Sequence, residues 1–279
     1  MLQQLLDILT LEHLGDDRFL GRNMHPKGFR IYGGQVLAQA VSAAPHTVAQ
    51  ERGVHSQHAY FLRPGECTKP GTYEVERARD GGSFSSRRVV ALQDERPILV
   101  CSMSFQLPDD SFDFQEDIPD VAPPEERATE RQRSIDSGHF NEDFMITTGE
   151  DIDVRMVRPI DWHNPEKAEG KLYNWMKTTG PVGDDPRLHQ VLLTYFSDTM
   201  VLDAGLIQHG RSYWDRDIQS ASLDHAIWFH GDCRADQWLL HTADLERNSG
   251  GRTLISGRFY TREGRHVATV MQQGLMRLR

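Results

Sequence analysis

The chain has 279 residues, 38% of them hydrophobic and 26% charged, and a formal net charge of −10. That balance belongs to a protein that buries a core rather than to a disordered polymer, and its negative surface disfavours nucleic acid as a partner. No apolar run reaches the roughly 20 residues of a membrane-spanning helix. The three cysteines, Cys67, Cys101 and Cys233, are too far apart to suggest a disulfide framework or a zinc site, so a cytoplasmic, reducing setting is expected.

In chain order, Leu2, Leu5, Leu6 and Leu9 recur at helical spacing, which predicts a docking helix; Asp7, Glu12 and the lack of a basic start do not fit a signal peptide. The segment YGGQVLAQAVSAA predicts a second helix, rich in small residues (Ala38, Ala40, Ser42, Ala43, Ala44) that let it lie close to a sheet. Strand-like runs with alternating apolar positions follow, punctuated by hairpin signals such as Gly81-Gly82 and, in the second half, Glu263-Gly264. From Asp109 to Glu130 nine carboxylates face one arginine, Arg127, and Pro119, Pro123 and Pro124 interrupt regular structure, the composition of a solvated connector.

Beyond it the first pattern returns. LHQVLLTYFSDTM precedes HAIWFHGD and then three strand-like runs, as YGGQVLAQAVSAA precedes HAYFLRPG and its own three. An internal repeat of this kind predicts two units, residues 1–108 and 151–279, joined by 109–150. Each unit reads as a long helix wrapped by a curved antiparallel sheet, an α+β arrangement. Within the second unit, Thr194–Leu206 reads as one helix, apolar on nearly every side, with Asp198 in its middle. From the helix alone, Arg187, Gln190, Thr194 and Asp198 form a polar stripe, and solvated aspartates are the norm.

The runs YGGQ, HSQHAYFLRPG, RDGGSFSSRRV, WHNP, DHAIWFH and QQGLMR, in this order, resemble the bacterial acyl-CoA thioesterase II family, a double hotdog fold. The resemblance runs from about Leu5 to Arg277. It implies hydrolysis of acyl-CoA to free acid and coenzyme A without metal or cofactor, and a homo-oligomer formed by sheet pairing. It also implies a catalytic set of an aspartate, a Ser/Thr and a glutamine, which falls on Asp198, Ser222 and Gln272. Gln273 is the neighbouring alternative to Gln272, and strand alternation makes the two face opposite sides.

Aligning the two units places Ala43, His55 and Met103 opposite Asp198, Ser222 and Gln272. The first unit therefore lacks the chemistry, and one active site per chain is expected. A carboxylate can take a proton from water or attack the thioester itself, and the sequence leaves both routes open. Gly33 and Gly34 are candidates for a helix start that a substrate approaches closely. His55 is the alternative catalytic base, and Arg63, Arg87 and Arg88 are candidates for the phosphates of coenzyme A. No G-x-S-x-G elbow, G-x-G-x-x-G or H-E-x-x-H motif occurs. Two other classes fit the same layout. They are a hydratase or dehydratase acting on acyl thioesters, although no histidine follows Asp198 before His209, and an acyl-CoA-binding protein without turnover.

Overall fold

The structure is a computed structural model that describes residues 2–24, 30–140 and 150–279; residues 141–149 of the expected connector lie outside the described residues. The first unit comprises α1 (Leu2–Leu9), β1 (Glu12–Gly15), β2 (Arg18–Gly21), α2 (Gly33–Ala43), β3 (Gly53–Phe61), β4 (Gly71–Asp80), β5 (Phe84–Gln93) and β6 (Arg96–Gln106). After the short α3 (Glu130–Asp136) the second unit comprises β7 (Ile152–Met156), β8 (Lys171–Thr178), α4 (Pro186–Ser197), α5 (Asp203–Ile207), β9 (Ile218–Phe229), β10 (Leu239–Ser249), β11 (Arg252–Thr261) and β12 (His266–Leu278).

All the strands join one antiparallel sheet in the order β1-β2-β4-β5-β6-β3-β9-β12-β11-β10-β8-β7. The order is a palindrome, so the predicted repeat is a pseudo-twofold whose axis passes between β3 and β9, where His58 pairs with Ala226. Hairpin turns form where the sequence marks them: β4 meets β5 at Gly81-Gly82, and Gly264, at φ +92°, turns β11 into β12. Alternation along each strand sends one set of side chains to the helix side of the sheet, the physical basis of the apolar period read in the sequence.

The helices α2 and α4 pack against each other on that inner side. Almost all of α2 is buried, from Gly34 to Ala43 except Ser42, because it touches both the sheet and its counterpart. Helix α4 starts on Asp185, whose side chain accepts from the Arg187 N–H, with Pro186 at the first helical position. Leu5, Ile8 and Leu9 of α1 are buried in the same core, as the leucine spacing predicts.

Part of the connector differs from the solvated linker that its composition predicts. Ile118 and Val121 pack on Trp175, Leu240 and Tyr260 on the outer face of the second unit, the Trp175 indole N–H donates to the Ala122 carbonyl at 2.9 Å, and Glu125 pairs with Arg262 at 2.6 Å. The reason is the exposed apolar side of β8, β10 and β11. It needs a cover, and a count of charges does not register the few apolar residues between them. No helix among the described residues is long and apolar enough to cross a membrane.

Candidate active site

Helix α4 ends at Ser197, and Asp198 occupies its C-terminal cap, not the middle of a continuous helix. The break lies at Met200, whose φ of +58° is left-handed, a conformation that costs a non-glycine residue about 1 kcal/mol or more. The chain turns there and resumes as α5 at Asp203. Because the helix stops, the Asp198 side chain is half-buried at the end of a rod rather than spread along a wet stripe; Thr194, predicted in that stripe, is fully buried.

Three groups hold the carboxylate. Gln272 Nε2 donates to Asp198 Oδ1 at 2.7 Å and to Ser222 Oγ at 3.0 Å, and the Ser222 hydroxyl donates to the same Oδ1 at 3.5 Å. The backbone N–H of Gly34 is the third donor. Burial pushes the Asp198 carboxyl up to about 6, against the downward pull of Gln272, Gly34 and Ser222. Gln272 is fully buried and its Oε1 has no protein partner. Gln273 faces the other way, as alternation requires, and its backbone N–H donates to Asp224 Oδ1 at 3.0 Å.

The donor Gly34 belongs to the first unit and Asp198 to the second, so the site straddles the pseudo-twofold. A Cβ on Gly33 would lie 2.6 Å from Asp198 Oδ2, and one on Gly34 would lie 2.6 Å from the Tyr195 carbonyl oxygen. Both glycines are thus required by close approach, and the N-terminal end of α2, the positive end of its dipole, abuts the carboxylate. Tyr32 ties the two units at the same point: its hydroxyl donates to the Tyr195 carbonyl at 2.9 Å and contacts Thr199 Oγ1 at 2.7 Å. Sequence reasoning passed over Tyr32 and Thr199; their only signal was adjacency to the Gly-Gly pair and to Asp198.

A cavity of about 860 Å3 opens on this group, with Asp198, Ser222, Gln272 and Tyr32 among its lining residues. Ile160, Trp162, Val201 and Leu202 supply apolar wall, whereas Asp203 and Tyr213 make part of the lining polar. Burial lifts the Asp203 carboxyl to about 7, and its hydrogen bond from Tyr213 pulls the other way. Neither residue was singled out from the sequence, since the aspartate hides in a segment read as plain apolar helix. Among the described residues no group of three or more His, Cys, Asp or Glu side chains is placed to hold a metal ion.

The other predicted residues fare differently. Arg87 is 1% exposed, and its guanidinium is consumed by Thr47, the carbonyls of Arg79 and Ser86, and Asp80. It is a buried brace, and a coenzyme phosphate has no access to it. Truncating it (Arg87→Ala) should cost on the order of 3 kcal/mol in urea unfolding, the range for breaking a buried hydrogen-bonded charge, while leaving the KM for acyl-CoA unchanged in the folded fraction. Arg88 points to the outer face and pairs with Glu76 at 3.4 Å, the side of the sheet away from the helices. Arg63 is exposed and bonds the Pro97 carbonyl at 2.7 Å; it lies two residues beyond Phe61, whose ring approaches Gly33.

His55 is half-buried edge-on to the Phe84 ring, 5.8 Å between centroids, and is not among the residues lining the cavity. It is also not the counterpart of Ser222. The inward pair Gln57–Met103 on β3 and β6 matches the inward pair His225–Gln272 on β9 and β12. This puts Val54 opposite Ser222 and places His55 at the bulge that Leu223 occupies in the second unit. Matching histidine to histidine shifted the alignment by one residue and reversed the pleat. The corrected first-unit trio, Ala43, Val54 and Met103, is wholly apolar and buried.

Comparison with known proteins agrees with this geometry. The family model described as acyl-CoA thioesterase matches residues 150–275, and that described as acyl-CoA thioesterase N-terminal domain matches residues 21–106. The chain is 35% identical to acyl-CoA thioesterase 2 of Haemophilus influenzae over 99% of this chain and 98% of that one. It is 33% identical to human acyl-coenzyme A thioesterase 8, over 98% and 88%. The solved structure of acyl-CoA thioesterase II TesB2 from Mycobacterium marinum superposes with a TM-score of 0.81 at 35% identity, covering 99% and 97% of the two chains. The double hotdog architecture, matched along its whole length at such identity, leaves one assignment: the chain belongs to the acyl-CoA thioesterase family.

Proposed function

We propose that the protein hydrolyses acyl-CoA thioesters to free acid and coenzyme A, with ionised Asp198 as the general base that directs a water at the thioester carbonyl. The observation that carries this reading is the closed Asp198–Gln272–Ser222 triangle on a cavity of about 860 Å3, with the Gln272 Oε1 acceptor left over. A water placed between Asp198 and that oxygen gives up one proton to the carboxylate, while its remaining O–H donates a hydrogen bond to the amide oxygen, and this aims a lone pair outward. Positioned bases of this type contribute on the order of 10² to 10⁴ in rate. The start of α2, already turned toward the negative charge of Asp198, is the natural place for the charge that develops on the carbonyl oxygen.

On this reading the catalytic residues belong to the second unit, 151–279, while the first, 1–108, lends the helix start and 109–150 the connecting strap. Arg63 is the surviving candidate for a coenzyme phosphate. A cytoplasmic setting is supported by three free, buried thiols, and assembly into a homo-oligomer by the resemblance to paired hotdog units.

The pH dependence follows from the carboxyl held at about 6. The base must be unprotonated, so kcat/KM should fall tenfold per pH unit below about pH 6 and level off above it. Thiol release measured from pH 4.5 to 8 checks this; a flat profile down to pH 4.5 would contradict Asp198 as the base.

A further inference from the structure

Position 225 adjoins the proposed catalytic residues on two sides, through Ser197 and across from Gln272. His225 is 1% exposed and stands directly across from Gln272 in the β9–β12 register, so the two inward side chains are neighbours on one face of the sheet. Its Nε2 lies 3.0 Å from Ser197 Oγ, and Ser197 is the last residue of α4, immediately before Asp198. The Ser197 hydroxyl donates its single proton to the Thr194 carbonyl at 2.8 Å. The ring must therefore donate to Ser197 Oγ from a protonated Nε2, which leaves Nδ1 as the bare nitrogen. That Nδ1 is buried without a protein partner. Burial also lowers the imidazole to about 4, so the ring carries no charge while Asp198 titrates.

The pseudo-twofold supplies an independent comparison. The counterpart of His225 in the first unit is Gln57, fully buried, whose Nε2 donates to the Leu37 carbonyl of α2 at 3.2 Å. Both units therefore tie the inner face of the central strand to the central helix from this one position. In the first unit the tie reaches the middle of a helix that ends in Ala43; in the second it reaches the residue next to the carboxylate.

We propose that His225 is a positioning residue for hydrolysis, fixing the end of α4 through Ser197 so that Asp198 meets Gln272, Ser222 and the Gly34 N–H together. The inference rests on the reading of Asp198 as the base. It assigns His225 no contact with substrate. Without the tie the end of α4 loosens, the hydrogen bonds that pull the Asp198 carboxyl down weaken, and the base becomes harder to ionise.

The test is the pH–rate profile of His225→Leu, His225→Gln and Ser197→Ala beside wild type, with Asp198→Asn as control and thermal midpoints for all. His225→Leu and Ser197→Ala should lose about tenfold or more in kcat with KM changed less than twofold, and their acid limb should move to higher pH. His225→Gln, which installs the donor found in the first unit, should recover most of the rate and the wild-type limb. Wild-type kcat and limb in Ser197→Ala and His225→Leu would overturn the proposal, as would a His225→Gln protein that folds like wild type yet is as slow as His225→Leu. If Asp198→Asn itself remains active, it is the reading of the base that fails.

Discussion

Asp198→Asn is expected to lose at least a hundredfold in kcat on every acyl-CoA it is given, and to be at least as stable as wild type at pH 8. The loss follows from removing the proton acceptor while keeping its shape; the amide oxygen can still accept from Gln272 and Gly34, so the pocket should persist. The gain in stability follows from linkage. The Asp198 carboxyl ionises at about 6 in the fold against 3.8 ordinarily, so its contribution to stability is full below about pH 4 and is lost as pH rises through 6. At pH 8 the folded protein carries a penalty on the order of 3 kcal/mol for holding the charge, which the neutral amide does not. Thiol release from short, medium and long acyl-CoAs, with urea melts at pH 4 and pH 8, measures both. The stability difference should shrink at pH 4. Equal activity of the two proteins would remove Asp198 from the chemistry.

Gly34→Ala is the second large effect. The added methyl would sit 2.6 Å from the Tyr195 carbonyl and 2.6 Å from the Tyr32 ring, and the carbonyl is backbone that cannot rotate away. Helices α2 and α4 must separate or shift, at about 1–3 kcal/mol for overpacking, even though alanine favours a helix by up to about 1 kcal/mol over glycine. The same shift displaces the N–H that holds Asp198. A fall in kcat of ten- to a hundredfold with a lowered thermal midpoint is expected, from a residue more than 160 positions away from the carboxylate in sequence. A variant with unchanged kcat would show that this N–H does not act on the base.

How much of this was legible depended on whether a feature is local or made by contact. The repeat, the hairpins at Gly81-Gly82 and Gly264, and the amphipathic leucines of α1 are local periodicities, and the structure places them where the spacing puts them. The grouping of Asp198, Ser222 and Gln272 came through the family resemblance, because residues 24 to 74 apart in sequence have no local signature. The break at Met200 was hidden: the one glycine in TYFSDTMVLDAGL, Gly205, lies inside α5 and not at the break, and the left-handed turn follows Thr199, whose hydroxyl meets Tyr32 of the other unit. Arg87 misled for a related reason, since an arginine on a strand looks the same in sequence whether it faces solvent or Thr47. The histidine alignment failed through identity: His58 and His225 share a letter but lie on opposite sides of the pleat, and only cross-strand pairing reveals it.

The palindromic sheet has a consequence for how such a chain divides its labour. Two equal copies of a fold offer two carboxylate positions and two helix starts. Here one copy keeps the acid, and the other keeps the pair of glycines that receives it. On the proposed reading of Asp198, neither half alone holds the whole site. A fragment beginning near residue 151 would retain all three polar side chains of the triangle, yet it would lack the Gly34 amide that faces Asp198 and the strand that β9 pairs with. On that reading the symmetry of the scaffold is a condition for the asymmetry of the chemistry.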